Sequence, residues 1–210
     1  MPVRVLLADD HQIVRQGLRA LLEREGLEVV GEASDGQEAL RLVGAIHPDV
    51  AILDLSMPQL NGLDAACGVQ QASPRTKAIL LTMHVEEHQV VAALRAGIRG
   101  YVVKTQAAEE VMQAIREVSR GGIYLSPGVS RVVVEAYLAN IDPPPDPLAP
   151  RERQVLQLVA EGKTSKEVAA LLGLSVKTAE SYRTRIMEKL NLHETASLVR
   201  YAIRRGLIQP

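Results

Sequence analysis

The chain has 210 residues, 47% hydrophobic and 23% charged, with a formal net charge of -1 and a single cysteine. That length and apolar content can fill one large core or two small ones. With no apolar run of about 18 residues, no basic and apolar leader, and Cys67 unable to form an internal disulfide, the expectation is a soluble, cytoplasmic protein with no membrane contact.

The charge is unevenly spread. Residues 1–140 hold 13 basic against 17 acidic side chains, whereas residues 148–210 hold 11 against 6. An acidic module followed by a basic one, suited to nucleic acid, would produce this split.

From the N-terminus, the runs Val3–Leu7, Glu28–Ala33, Asp49–Leu53, Ala78–Leu81 and Gly100–Val103 are short, rich in Val, Ile and Leu, and bounded by turn residues. They read as buried strands of a parallel sheet. Between them Ile13, Leu18, Leu21 and Leu22, then Ala39, Leu40 and Val43, then Val90, Ala93 and Leu94 recur at helical spacing, and a fifth helix is expected near Ala107–Arg120. The predicted fold is a doubly wound α/β unit with five parallel strands, which binds ligands at the carboxyl ends of its strands.

Ser126-Pro127 opens a connecting helix with Val129, Val132, Val133 and Ala136 on one face. The proline-rich run from Asp142 to Pro147 cannot hold a helix or a ladder, so it is an extended linker. Beyond it only helical patterns follow. Pro150 begins one, Gly162 ends it, Thr164 and Glu167 form a capping-box pattern for a second, and Gly173 stops that one two residues before Ser175 can cap a third. Two helices across so tight a turn predict a small all-α helix-turn-helix domain.

The strand ends carry the chemistry. The first predicted strand runs into Asp9-Asp10, the third into Asp54, the fourth into Thr82 and the fifth into Lys104. Crowded carboxylates call for a cation, and oxygen donors favour Mg²⁺. A carboxylate, a metal, a hydroxyl and an ammonium together suit phosphoryl transfer. A lone strand-end Asp or Thr could simply cap the next helix, but five such groups at successive strand ends point to a pocket.

The residues Ala8-Asp9-Asp10-His11, Leu53-Asp54-Leu55-Ser56-Met57-Pro58 with Gly62, Thr82 and Lys104 resemble the receiver domain of bacterial two-component response regulators. That resemblance implies that Asp54 is the phosphoacceptor. It implies a Mg²⁺ site made by Asp9, Asp10, Asp54 and the Ser56 main-chain carbonyl. Thr82 and Lys104 would contact the phosphoryl group, and Tyr101 would change rotamer on activation. Thr105 follows Lys104 where many receivers have proline. Ser56 and His84, two residues beyond Asp54 and Thr82, are expected to flank the approach of water to the phosphorus.

In the basic module, Lys177, Thr178, Glu180, Ser181, Tyr182, Arg183, Thr184 and Arg185 lie on the helix expected to enter the major groove, with Val176, Ala179, Ile186, Met187 and Leu190 as its apolar contacts. Glu180, Ser181 and Thr184 share the face turned to the bases, while Lys177, Arg183 and Arg185 flank it as phosphate contacts. Leu148–Leu192 resembles the LuxR-type output domain of the NarL/FixJ response regulators, with Ala149 where a capping Thr is usual and Tyr182 where a His is usual. The resemblance implies a dimer on double-stranded DNA, with the helix around Thr195–Arg205 at the dimer contact. It implies a sensor histidine kinase and RNA polymerase as partners.

The expected organisation is a receiver at 1–122, a linker helix and proline-rich linker at 123–147, and the DNA-binding domain at 148–210. Two other readings fare worse. A haloacid-dehalogenase-type phosphatase would want an Asp two residues after Asp54, where Ser56 stands. A quorum-sensing receptor would want an aromatic ligand pocket, and the chain has no Trp and no Phe.

Overall fold

A computed structural model of the chain describes residues 2–83, 87–104, 108–138 and 146–208. His84, Thr105 and the linker residues 142–145 lie outside the described residues. The chain divides into two compact units, the first of residues 1–57 and 61–143 and the second of residues 144–210 with 58–60.

In the first unit, strands and helices alternate: β1 (Arg4–Ala8), α1 (Gln12–Arg24), β2 (Glu28–Ala33), α2 (Gly36–Ile46), β3 (Val50–Asp54), α3 (Gly62–Ala72), β4 (Lys77–Thr82), α4 (Glu87–Arg95), β5 (Gly100–Val103) and α5 (Ala108–Ser119). A two-residue strand, β6 (Tyr124–Leu125), and α6 (Pro127–Leu138) follow. The strands stand in the order β2-β1-β3-β4-β5-β6, every neighbouring pair parallel. β1 and β3 are buried along nearly their whole length because helices cover both faces, which is why they read as unbroken apolar runs. One face packs Leu7, Leu22, Ile52, Leu81, Val102 and Ile115 into a common core.

The sheet exceeds the expected five strands by one. β6 is too short to show a period of two, so hydrophobic patterning could not find it. Instead of running free as a connector, the segment after α5 pairs Gly100 with Tyr124 and Tyr101 with Leu125, then buries Ser126 and Val129 completely.

The second unit is α7 (Pro150–Ala160), α8 (Ser165–Leu172), α9 (Val176–Leu190) and α10 (Thr195–Arg204) around Leu156, Leu158, Val168, Ile186 and Leu198. Ala149 has no side chain to cap α7, yet half of a capping box survives, because the Glu152 carboxylate accepts the Ala149 N–H at 2.9 Å. In α8 the box is complete: Glu167 accepts from Thr164 N at 2.8 Å, and Thr164 accepts from Glu167 N at 3.3 Å. Gly173, at φ +65°, then turns the chain in the left-handed region that a side chain would disfavour. Among the described residues, no helix is long and apolar enough to cross a membrane.

Candidate functional site

The sheet order places β1 beside β3, with Ala8 paired to Leu53, so the residues that follow, Asp9 and Asp54, emerge side by side. Both are nearly inaccessible, at 1% and 3% exposure. Thr82 ends β4 and pairs with Val103, and Lys104 comes next after β5. The Lys104 ammonium reaches back to both carboxylates, 2.6 Å from Asp9 Oδ2 and 2.9 Å from Asp54 Oδ1, while its own N–H donates to the Thr82 carbonyl at 2.7 Å. Asp10 is more open, and one ligand atom from each of Asp9, Asp10, His11 and Asp54 falls within 4.8 Å of all the others.

Backbone contacts lock this geometry. Leu55 N donates to the Leu81 carbonyl at 2.8 Å, and Gly62 N donates to the Leu55 carbonyl at 2.9 Å, folding the loop after β3 back on itself. At Gly62 a β-carbon would stand 2.0 Å from the Asp54 carbonyl oxygen, so only glycine allows α3 to start this close to the end of β3. Asn61 caps α3 by accepting from Asp64 N at 2.9 Å.

The electrostatics follow from burial. Desolvation pushes the Asp54 carboxyl above its ordinary value; Lys104 opposes this, while Asp9 and Asp10 add to it by repulsion. Burial also works against the Lys104 charge, but Asp54 and Asp9 outweigh it and hold the ammonium above its ordinary range. The all-oxygen donors Asp9, Asp10 and Asp54 match a small hard divalent cation that keeps part of its water.

Three polar contacts escaped sequence reasoning. His11 Nδ1 lies 2.7 Å from Asp10 Oδ1, and the His11 main-chain N–H donates to Asp9 Oδ1 at 2.9 Å. Arg15, one turn into α1, donates to the Asp9 carbonyl at 2.6 Å. The Ala8-Asp9-Asp10-His11 run names His11 but cannot show which carboxylate it meets. Tyr101 is buried inside the sheet layer at 1% exposure, and Ser56, two residues past β3, is half-buried.

On α9, Lys177, Glu180, Ser181, Thr184, Arg185 and Glu188 line one open concavity of about 360 Å³. This contains the three positions expected to face bases and two of the three expected phosphate contacts. The remaining expected residues are engaged within the protein. Thr178 shares the Ser175 cap, its N–H donating to Ser175 Oγ at 3.1 Å. Arg183 donates to the Thr195 hydroxyl at 2.6 Å. Tyr182 packs against the core, and the Arg185 guanidinium stands 5.9 Å from its ring centroid. One apolar assignment needs correction. Ala179 and Ile186 are buried, but Val176 is 43% exposed, because it is the first helical residue and projects past the end of the core.

Residues 5–116 match the response regulator receiver domain family, and residues 146–202 match the bacterial regulatory proteins of the luxR family. The chain is 38% identical over 215 residues to the oxygen regulatory protein NreC of Staphylococcus carnosus, covering 98% of this chain and 99% of that one. It is 38% identical over 211 residues to the response regulator UvrY of Escherichia coli K12, covering 98% and 95%. Among solved structures it resembles RcsB of Salmonella enterica serovar Typhimurium bound to promoter rprA in the presence of the phosphomimetic BeF3-. That likeness has a TM-score of 0.60 and 32% identity, over 95% of this chain and 97% of that one. A receiver-type sheet, a helix-turn-helix unit and relatives matched over nearly their full length lead to one assignment: the chain belongs to the NarL/FixJ family of two-component response regulators, with a receiver domain and a LuxR-type DNA-binding domain.

Proposed function

We propose that the protein is switched by phosphorylation of Asp54 and, once phosphorylated, binds promoter DNA as a dimer in the cytoplasm. The observation that carries this reading is the Lys104 ammonium held against both Asp9 and Asp54 at the strand ends. In this reading Asp54 Oδ attacks the phosphorus of a phosphohistidine on a sensor kinase. The new O–P bond forms as the P–N bond breaks, and the departing imidazole leaves with the electron pair. Lys104 and Thr82 meet the phosphoryl oxygens, and Tyr101 reports the change by altering its rotamer. Asp9, Asp10, Asp54 and the Ser56 carbonyl would hold Mg²⁺, which when bound neutralises charge on the phosphoryl group.

Glu180, Ser181 and Thr184 are assigned to base edges, and Lys177 and Arg185 to phosphates. Arg183, Tyr182 and Thr178 support the helix, and Arg183 is assigned a phosphate contact as well. Support for the dimer comes from the RcsB structure described as two dimers bound to two parallel DNAs, at 32% identity. The assignment of residues 1–122 and 148–210 to the two domains, and RNA polymerase as the partner at the promoter, belong to the same reading. Incubation with acetyl phosphate and Mg²⁺ tests it. A single added phosphoryl group on Asp54, with tighter binding to a selected duplex, is expected; phosphorylation of Asp54→Asn at the wild-type rate overturns it.

A further inference from the structure

The pocket depends on where β5 ends, because Lys104 is the next residue. β4 holds one side of that end through the bond from Lys104 N to the Thr82 carbonyl at 2.7 Å. On the other side β6 stops after two residues, so the ladder has no carbonyl left for the Val103 N–H. The Ser126 carbonyl is already taken by the first turn of α6, accepting from Val129 N at 2.8 Å and Ser130 N at 2.9 Å. The Ser126 side chain fills the gap. Its Oγ accepts the Val103 N–H at 3.2 Å and donates its own proton to Glu110 Oε2, 2.5 Å away on α5. Its N–H completes the ladder to the Tyr101 carbonyl at 3.0 Å.

We propose that Ser126 is a positioning residue for the phosphorylation pocket: its hydroxyl fixes the end of β5, and with it the Lys104 ammonium, and joins that end to α5 and α6. The inference rests on Asp54 as the phosphoacceptor. The first turn of α6 uses the Ser126 main-chain carbonyl, which any residue supplies, whereas the bonds to Val103 N and Glu110 ask for a hydroxyl at this position. Only a short side chain that both accepts and donates can replace a missing ladder acceptor and pass its proton to a carboxylate. Full burial makes each bond matter, because an N–H left without a partner there is not rescued by water. Burial first, and then the same Glu110 carboxylate, hold the neighbouring Tyr124 phenol above its ordinary range. Ser126 thus couples the strand that carries Tyr101 to the helix from which the chain departs toward the second unit.

The experiment uses the full-length protein and compares Ser126→Ala with Ser126→Thr. It reads the rate constant for Asp54 phosphorylation by acetyl phosphate in saturating Mg²⁺, amide hydrogen exchange and the thermal midpoint. Losing one buried acceptor is expected to slow phosphorylation by about fivefold and to speed exchange at the Val103 amide by at least about tenfold. Amides of β1 and β3 should keep their protection, and Ser126→Thr should restore both values. An unchanged rate constant with unchanged Val103 exchange overturns the proposal, as does a loss of protection spread evenly over the sheet. If Ser126→Ala does not fold, Glu110→Ala decides, because it removes only the acceptor of the hydroxyl proton. A slowing of about twofold supports the proposal and a wild-type rate overturns it. Should Asp54→Asn be phosphorylated as fast as wild type, the phosphoacceptor reading fails, while Val103 exchange still reports on the Ser126 bond.

Discussion

In the pocket at the ends of β1, β3 and β5, Asp9, Asp54 and Lys104 are held against one another with little access to water, whereas along the open face of α9 charged groups stand in solvent. Asp9 and Asp54 are at most 3% exposed and share one ammonium. Lys177, Glu180, Thr184 and Arg185 are all exposed. Buried charge is costly, so it is built once, with fixed partners, and a small chemical change there shifts a large energy. Exposed charge is cheap and screened, so the α9 face can meet a polyanion without first breaking strong internal bonds.

The sharpest way to break this contrast is Asp54→Asn. Phosphorylation by acetyl phosphate should fall by roughly a thousandfold or more, since the proposed nucleophile is gone. The same variant should raise the thermal midpoint of the metal-free protein at neutral pH. Burial raises the Asp54 carboxyl in the folded state, so the unfolded chain ionises it more readily, and stability is lost as pH rises from the ordinary carboxylate value through the raised one. The gain from Asn should therefore shrink as pH is lowered through that window. A pH-independent difference in midpoint would count against the account.

Next in size comes Gly62→Ala. With a β-carbon 2.0 Å from the Asp54 carbonyl, either α3 or the strand end must move, at a cost of about 3 kcal/mol. Denaturant unfolding should show this, with a matching loss of phosphorylation. Retention of both would mean the loop accommodates the methyl without moving Asp54.

In the second unit Glu152→Ala removes a buried carboxylate that binds Lys189 Nζ at 2.7 Å and the Ala149 N–H. The expected loss is about 2 kcal/mol. The Lys189 bond, then the Ala149 N–H, hold Glu152 below its ordinary value, so its contribution is present above the ordinary carboxylate pKa and fades as pH falls through the depressed one. Unfolding followed at neutral and at acid pH should show the variant and wild type converging.

The smallest effects belong to the solvated face. Ser181→Ala and Thr184→Ala should each lose about 1 kcal/mol of discrimination between a selected duplex and scrambled DNA, with little change in salt dependence. Lys177→Ala should weaken both DNAs alike and lower the salt slope by about one unit. Titrations across a salt series separate these outcomes, and the opposite pattern would reverse the assignments on α9.

Much of this was legible in the sequence because buried parallel strands write themselves as unbroken apolar runs. The five main strands lie within a residue or so of the expected segments, and with them the positions of Asp9, Asp54, Thr82 and Lys104. The all-helical second unit followed from Gly173 and the caps at Thr164 and Ser175. What stayed hidden depends on which side chain meets which. β6 is too short for a period, and Ser126 looked like a simple helix start. Arg183 reads as a free cation until Thr195 is brought beside it by the turn into α10. Val176 counts as core by residue type and is exposed only because the helix begins there.

Arg183 and Lys189 have a calorimetric consequence. One ties α9 to the first residue of α10, through Thr195, and the other ties its far end to α7, through Glu152. The helix that offers the open face is braced at two points before any ligand arrives. Association should then involve no coupled folding, and the heat-capacity change on binding a duplex should match the contact area alone rather than that area plus a newly ordered segment.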